Sequence, residues 1–258
     1  MNNDISLTKE QDRHKHCLQC DSLIALESRF CKHCGIVQVV QDTSSGQQPW
    51  NIIQQAALFY GIELLLCCLA SFIDAFKTFA WSVTFDILLA YVTLTFFFLG
   101  WSKNKVLLKC SNFSILKLLG YGLAAAISSV MVSYCVGWLN HTLFSKEFYY
   151  YGLYSEHKYA PLLMVFFVAI MPALFEELAY RGYMLQNLLK VTDKNQAIFI
   201  SSFLFAILHL SFLSLFWLIP FAIALGYVRV KENTLYYGMF MHFCFNLTVC
   251  LTEIWKYG

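Results

Sequence analysis

The chain predicts an all-α polytopic membrane protein of about seven transmembrane helices, preceded by a small four-cysteine zinc-ribbon module. Three observations carry that expectation. The 258 residues are 59% hydrophobic and 17% aromatic against only 13% charged, far from the balance of a soluble domain. From Trp50 onward, apolar runs near the ~20 residues needed to cross a hydrocarbon core alternate with short polar breaks. Ahead of them lies a polar head with two Cys-x-x-Cys pairs. A net charge of +2 is too small to imply a nucleic-acid partner, so the expected partner is the lipid bilayer itself.

Residues 1–15 are polar and aperiodic and read as a tail. Cys17-Leu18-Gln19-Cys20 and Cys31-Lys32-His33-Cys34-Gly35 follow, and together they offer four soft thiolates that can close a tetrahedral shell around Zn2+. Gly35 suits the tight turn behind the second pair. A module this short cannot build a sufficient core, so bound metal would supply its folding energy. Disulfides are the competing reading for the four cysteines; a ribbon needs reduced thiols and therefore points the head to the cytoplasm. The ribbon and tail occupy residues 1–38, residues 39–49 form a Gln/Ser/Thr-rich linker, and residues 50–258 form the membrane domain. With no apolar core in the polar head, no cleavable signal is expected, and the first membrane helix would act as the insertion signal. The remaining cysteines, Cys67, Cys68, Cys110, Cys135, Cys244 and Cys250, lie in apolar segments and read as small buried hydrophobes.

The spans are expected at roughly 50–73, 79–101, 115–139, 160–185, 196–212, 213–230 and 235–254. The fifth and sixth form a nearly continuous apolar stretch broken mainly by Pro220. With the head inside, the inner breaks carry Lys103, Lys105, Lys109, Lys117, Lys190, Lys194, Arg229 and Lys231, and the outer ones only Lys77, Lys146 and Lys158. The positive-inside rule thus agrees with the reduced-thiol argument on a multi-pass protein of the cell membrane with a cytoplasmic ribbon. Trp50, Trp81, Trp101, Trp138, Tyr149, Tyr150, Tyr151 and Trp255 suit interfacial belts. Asp74 reads as a loop residue, whereas Glu63 and Asp86 either pair inside the bundle or flank it.

The stretch from Ala160 to Phe175 is wholly apolar, yet it runs into Glu176-Glu177-Leu178-Ala179-Tyr180-Arg181. Ionisable groups at such depth cost roughly 2.5–3.5 kcal/mol each on insertion scales and are by default a functional hypothesis. Glu177 and Arg181 share a helix face in the order that favours an ion pair, while Glu176 is rotated about 100° away. One acid would support and the other would work. The plainer reading, a charge cluster at a helix end with Arg181 snorkelling, fits an arginine better than two adjacent acids. Pro172 lies four residues before Glu176 and would loosen the helix there.

His209 sits alone in the apolar fifth span, and His242 and Asn246 lie one turn apart in the seventh. Each by itself could be a packing residue. Counted from the cytoplasmic ends, Glu176 lies about nine residues in, His209 about thirteen, His242 about seven and Asn246 about eleven. At ~1.5 Å per residue all four fall within roughly 9 Å along the membrane normal. An acid, two imidazoles and an amide at one level are the parts needed to activate a water and stabilise an oxyanion.

Glu176-Glu177-x-x-x-Arg181, Phe205-x-x-x-His209 and His242-x-x-x-Asn246, in that order and spacing, resemble the three signature motifs of the CPBP family. That family comprises the type II CAAX prenyl proteases and their bacterial relatives, also called the Abi family. Arg181-Gly182-Tyr183-Met184-Leu185, Ser201-Ser202-Phe203-Leu204-Phe205 and Gly226-Tyr227-Val228 resemble the family's flanks, so the likeness covers about residues 160–250. Ala206 stands where relatives often have Gly, and the residues between His242 and Asn246 are bulkier than usual. The resemblance implies an intramembrane endopeptidase acting on a membrane-associated peptide or protein. By the same likeness Glu176 would be the general base on the attacking water, His209 would help hold that water, and His242 and Asn246 would serve the oxyanion. Glu177 and Arg181 would brace the site. Two His and one Glu could equally make an open zinc site, so glutamate-type and metallo- mechanisms both stand.

Two other classes compete with the enzyme. One is a non-catalytic membrane scaffold or bacteriocin-immunity protein, although a scaffold has no need of the full set Glu176, His209, His242 and Asn246. The other is a small transporter or proton relay, which would use intramembrane acids and His but for which no repeat between the halves is evident. The ribbon offers a docking module for a protein partner.

Overall fold

The computed structural model describes residues 14–17, 19–25, 28, 31–35, 48–109, 113–144 and 149–258. Most of the expected tail and linker, and with them Cys110 and Lys146, lie outside the described residues. The chain divides into two compact units, Met1–Gln48 and Pro49–Gly258.

In the first unit, β1 (His14–His16) pairs antiparallel with β2 (Leu23–Ala25), with Lys15 opposite Ile24. The connection is tight. Asp21 adopts φ +55° and its N–H donates to the Cys17 carbonyl at 3.0 Å. In the second knuckle Gly35 takes φ +74°, the left-handed region that glycine enters freely, and its N–H donates to the Cys31 carbonyl at 2.9 Å. Cys17, Ile24 and Cys31 are the buried residues of this unit's small cluster. Three side chains, two of them cysteines, are a meagre core, as expected where metal supplies the folding energy.

The second unit is helical among its described residues. Its long helices are α1 (Gln48–Phe72), α2 (Phe79–Leu99), α3 (Ile115–Phe144), α4 (Ala160–Leu188), α5 (Lys194–Ile207), α6 (Phe212–Glu232) and α7 (Tyr236–Tyr257). Seven helices stand where seven spans are expected, but five of them, α1, α2, α3, α4 and α6, are both long and apolar enough to cross a membrane. The expected fifth span is cut short. α5 has 14 residues, about 21 Å at ~1.5 Å per residue, against the ~30 Å of a hydrocarbon core. It ends at Ile207 because Leu210 turns left-handed, with φ +49°, and Ser211 then caps α6 by accepting from the Ser214 N–H. α7 has the length, 22 residues, but His242, Asn246 and Glu253 interrupt its apolar character.

α4 is not uniformly wound. Val165–Ile170 and Glu177–Met184 are π-helical segments, separated by the α-helical turn Met171–Glu176 that carries Pro172. Such wide turns are uncommon and concentrate at functional sites. Pro172 lacks the N–H that would answer the Val168 carbonyl four residues back, which opens that carbonyl to a donor from outside the helix.

α4 is the hub. Tyr180, Tyr183 and Met184 pack with Ala56 and Phe59 of α1, Phe205 and Ala206 of α5, and Leu218 and Ala222 of α6. A second cluster joins Ala125 of α3 and Leu225 of α6 to Met241 and Phe245 of α7, where the Ser129 hydroxyl also donates to the Phe245 carbonyl at 2.7 Å. Close approach needs small residues. A Cβ on Gly182 would lie 2.7 Å from the Phe97 ring of α2, and one on Gly238 would lie 3.1 Å from Glu177 Oε2.

Candidate active site

Glu177 and Arg181 are fully buried, at 0% and 1% exposure, and meet through Arg181 Nη1 donating to Glu177 Oε1 at 2.7 Å. The guanidinium is used on every side: Nη2 donates to the Ala222 carbonyl of α6 at 3.1 Å, and its carbon lies 4.6 Å from the centre of the Phe205 ring. A buried charge of this kind persists only when paired and hydrogen-bonded, and here one arginine fastens α4 to α5 and α6.

The same Glu177 oxygen also accepts from His242 Nδ1 at 3.0 Å. That contact fixes the ring, since a carboxylate accepts and Nδ1 must hold the proton. The other ring nitrogen, Nε2, lies 3.7 Å from Glu176 Oε2. His242 therefore stands between the two adjacent glutamates, one oxygen of each on either side of its ring.

Asn246, one turn along α7, donates from Nδ2 to the Val168 carbonyl at 2.9 Å. This is the carbonyl that would meet the N–H of residue 172 were it not proline, so the proline and the asparagine meet at one carbonyl across two helices. The contact ties α7 to the first π segment of α4 and leaves one amide hydrogen of Asn246 for other work.

His209 lies beyond the last turn of α5 rather than within a span. Its Nδ1 meets the Phe205 carbonyl at 3.2 Å, and because a carbonyl only accepts, Nδ1 carries the proton and Nε2 is left as an acceptor. The chain reversal at Leu210 puts this imidazole beside a cavity of about 220 Å³ whose lining includes both Glu176 and His209. Phe205 separates the histidines, its ring centre 5.0 Å from that of His209 and 6.2 Å from that of His242.

The geometry thus gathers the expected residues in two tiers. Glu176 and His209 face the cavity, whereas Glu177, Arg181, His242 and Asn246 stand behind or beside them. Residues that sequence reasoning left without a role also line the cavity: Glu63, Cys67 and Thr93 from α1 and α2, and Asp86 from α2. Glu63 accepts from the Thr93 hydroxyl at 3.0 Å rather than pairing with Asp86. Their depth in apolar helices was the available signal. Asp74 is a turn residue held by Lys77 at 2.6 Å.

A second constellation lies in the first unit. The Sγ atoms of Cys17, Cys20, Cys31 and Cys34 all fall within 4.8 Å of one another, with Cys17–Cys34 and Cys20–Cys31 each at 3.6 Å. Tetrahedral zinc thiolates, with Zn–S of about 2.3 Å, need sulfurs about 3.8 Å apart, so the four residues fit such an ion. The backbone N–H of Cys20, and after it that of Gln19, pull the Cys17 thiol down to about 6, and the Ser22 hydroxyl lowers that of Cys20. Thiols so poised are ready to ligate. Among the described residues this is the one group of three or more His, Cys, Asp or Glu whose ligand atoms converge closely enough to hold a metal ion.

Compared with protein families, the chain matches the model described as type II CAAX prenyl endopeptidase Rce1-like over residues 158–248, a stretch that holds Glu176 through Asn246. No curated protein and no solved structure matches the chain.

Proposed function

We propose that this multi-pass membrane protein, whose residues 158–248 match the model of type II CAAX prenyl endopeptidases of the Rce1-like family, hydrolyses a peptide bond through a water activated by Glu176. The observation that carries this reading is the placing of Glu176 and His209 on one cavity with His242 Nε2 3.7 Å from the Glu176 carboxylate. A water held between Glu176 and the free Nε2 of His209 gives its proton to the carboxylate as it attacks the substrate carbonyl. The charge that develops on the carbonyl oxygen is met by the remaining amide hydrogen of Asn246 and by a His242 that carries protons on both ring nitrogens, Nδ1 toward Glu177 and Nε2 toward the oxyanion. Glu176 then hands its proton to the departing amine, and the carboxylate is restored.

Glu177 and Arg181 position rather than react. Glu177 orients the His242 ring, and Arg181 neutralises Glu177 in surroundings that offer it no water. Glu176, His209 and His242 are not gathered as a three-ligand set, which favours the glutamate mechanism over a metallopeptidase. The four-cysteine unit is assigned a structural Zn2+, a cytoplasmic position in keeping with the positive-inside distribution of lysines, and the docking of a protein partner.

The test is cleavage of a panel of membrane-associated peptides, with and without a prenyl chain, by the full chain in lipid vesicles. Fragments whose new carboxylate gains one heavy oxygen from labelled water are expected. Absence of fragments from every peptide would sink the reading.

A further inference from the structure

A second buried arginine has no acid to answer it. The charge pattern of the sequence sets Arg229 among the cytoplasmic breaks, yet it lies inside α6 and is only 3% exposed. No carboxylate pairs with it among the described residues. Its Nε donates to the Arg181 carbonyl at 3.0 Å, and its Nη2 donates to the side-chain oxygen of Gln186. A guanidinium taken out of water without a counter-charge is a poor source of stability. Where its two acceptors lie is more telling. Arg181 belongs to the second π segment of α4, Glu177–Met184, which closes with the Leu185 N–H donating to the Tyr180 carbonyl, five residues back. In an α-helix that N–H would answer Arg181, four residues back. Its diversion opens the Arg181 carbonyl to a donor from outside, and Arg229 supplies one. Gln186 stands five residues beyond Arg181, the spacing of one π turn. The fork of a guanidinium spans both points at once, which a compact ammonium does not.

We propose that Arg229 is a positioning residue for the reaction: by bracketing Arg181 and Gln186 from α6, it holds the π-winding of α4 that aims Glu177 at His242. The inference rests on the peptidase reading and extends it to a residue that is not part of the cavity lining. The influence of Arg229 runs through the Arg181 main chain to the Arg181 guanidinium, and from there to the Glu177 oxygen that Arg181 Nη1 and His242 Nδ1 share. His242 in turn presents Nε2 to Glu176 at 3.7 Å. Without the bracket the Leu185 N–H can return to the Arg181 carbonyl, and the segment that carries Glu177 rewinds. His242 then loses the carboxylate that fixes its ring.

Two measurements on the full chain test this role. In the first, peptide cleavage and melting temperature are compared for wild type, Arg229→Met, Arg229→Lys and Gln186→Leu. In Arg229→Met kcat should fall about tenfold or more, as misplaced catalytic groups imply, with KM within about twofold of wild type. The melting temperature should hardly fall, because an unpaired buried charge gives way to an apolar side chain. Arg229→Lys keeps the charge and one of the two contacts and should recover part of kcat, and Gln186→Leu should lose less than Arg229→Met. A lower melting temperature with kcat unchanged would make Arg229 a structural residue and overturn the proposal, as would Arg229→Lys no more active than Arg229→Met. Should Arg229→Met not fold, the wild-type kcat in both Arg229→Lys and Gln186→Leu would overturn it. The second measurement needs no cleavage. In nitrogen NMR spectra of the histidine-labelled protein, the His242 signal, identified by its loss in His242→Gln, should show a proton held at Nδ1 against Glu177 and should shift in Arg229→Met. A His242 signal that does not move would overturn the proposal. A shifted signal in a protein that cleaves no peptide even as wild type would support the bracket and refute the peptidase.

Discussion

At the scale of residues, two adjacent glutamates are separated by what each touches. Glu177 accepts from Arg181 and His242 on one oxygen and is closed off from solvent, while Glu176 borders the cavity. The pair Glu177–Arg181 was legible from the four-residue spacing, because helix geometry alone brings such residues together. The contact of His242 with Glu177 was not, since it joins residues 65 positions apart and depends on how α7 docks on α4. Removing one partner of the buried pair strands the other, at a cost of roughly 3–5 kcal/mol. Glu177→Ala and Arg181→Ala should therefore each lower the melting temperature of the solubilised protein, whereas Glu176→Gln should leave it nearly unchanged. Equal stability of all three variants would show that Glu177 and Arg181 do not brace the fold.

At the scale of elements, α4 is made irregular and then mended by another helix. Pro172 withholds a donor from the Val168 carbonyl and Asn246 supplies one. Sequence reasoning saw that the proline would loosen α4, but it could not see π-winding on both sides, because winding responds to packing rather than to propensity. It divides the fifth span from the sixth at residues 212 and 213, with Pro220 as the main break in a nearly continuous apolar stretch, rather than at the reversal itself. The separation comes from a backbone reversal at Leu210, a residue with no special preference for positive φ, and hydrophobicity carries no trace of it. Pro172→Ala restores the missing N–H, which would then compete with Asn246 for Val168. Cleavage should fall several-fold in Pro172→Ala and in Asn246→Ala, and in a double-mutant cycle the two losses should not add. Simple additivity of the two effects would mean that the residues act independently.

At the scale of the whole molecule, a unit whose described core is three side chains is joined to a helical unit whose exposed faces are themselves apolar. The four-cysteine spacing made the first unit readable, and the alternation of apolar runs made the second readable as membrane. Five of the seven expected crossings are helices both long and apolar enough to span a membrane, and the expected fifth is a 14-residue helix with a turn, a difference that hydropathy along the sequence does not carry. Glu63 and Asp86 were noticed for their depth, but their convergence on the Glu176 cavity is set by the packing of α1 and α2 on α4 and has no local signature. Metal analysis of the full chain should give one zinc per molecule, lost in Cys17→Ser/Cys20→Ser. Zinc retained by that variant would place a metal in the membrane unit and reopen the metallopeptidase mechanism.

The central claim, that Glu176 activates the attacking water, is met most directly by comparing peptide cleavage by wild type and Glu176→Gln in the same vesicles with their melting temperatures matched. The glutamine keeps the shape of the side chain and cannot take a proton, so the rate should fall by about 10²–10⁴, the range for loss of a general base. Cleavage by Glu176→Gln at the wild-type rate would contradict the claim.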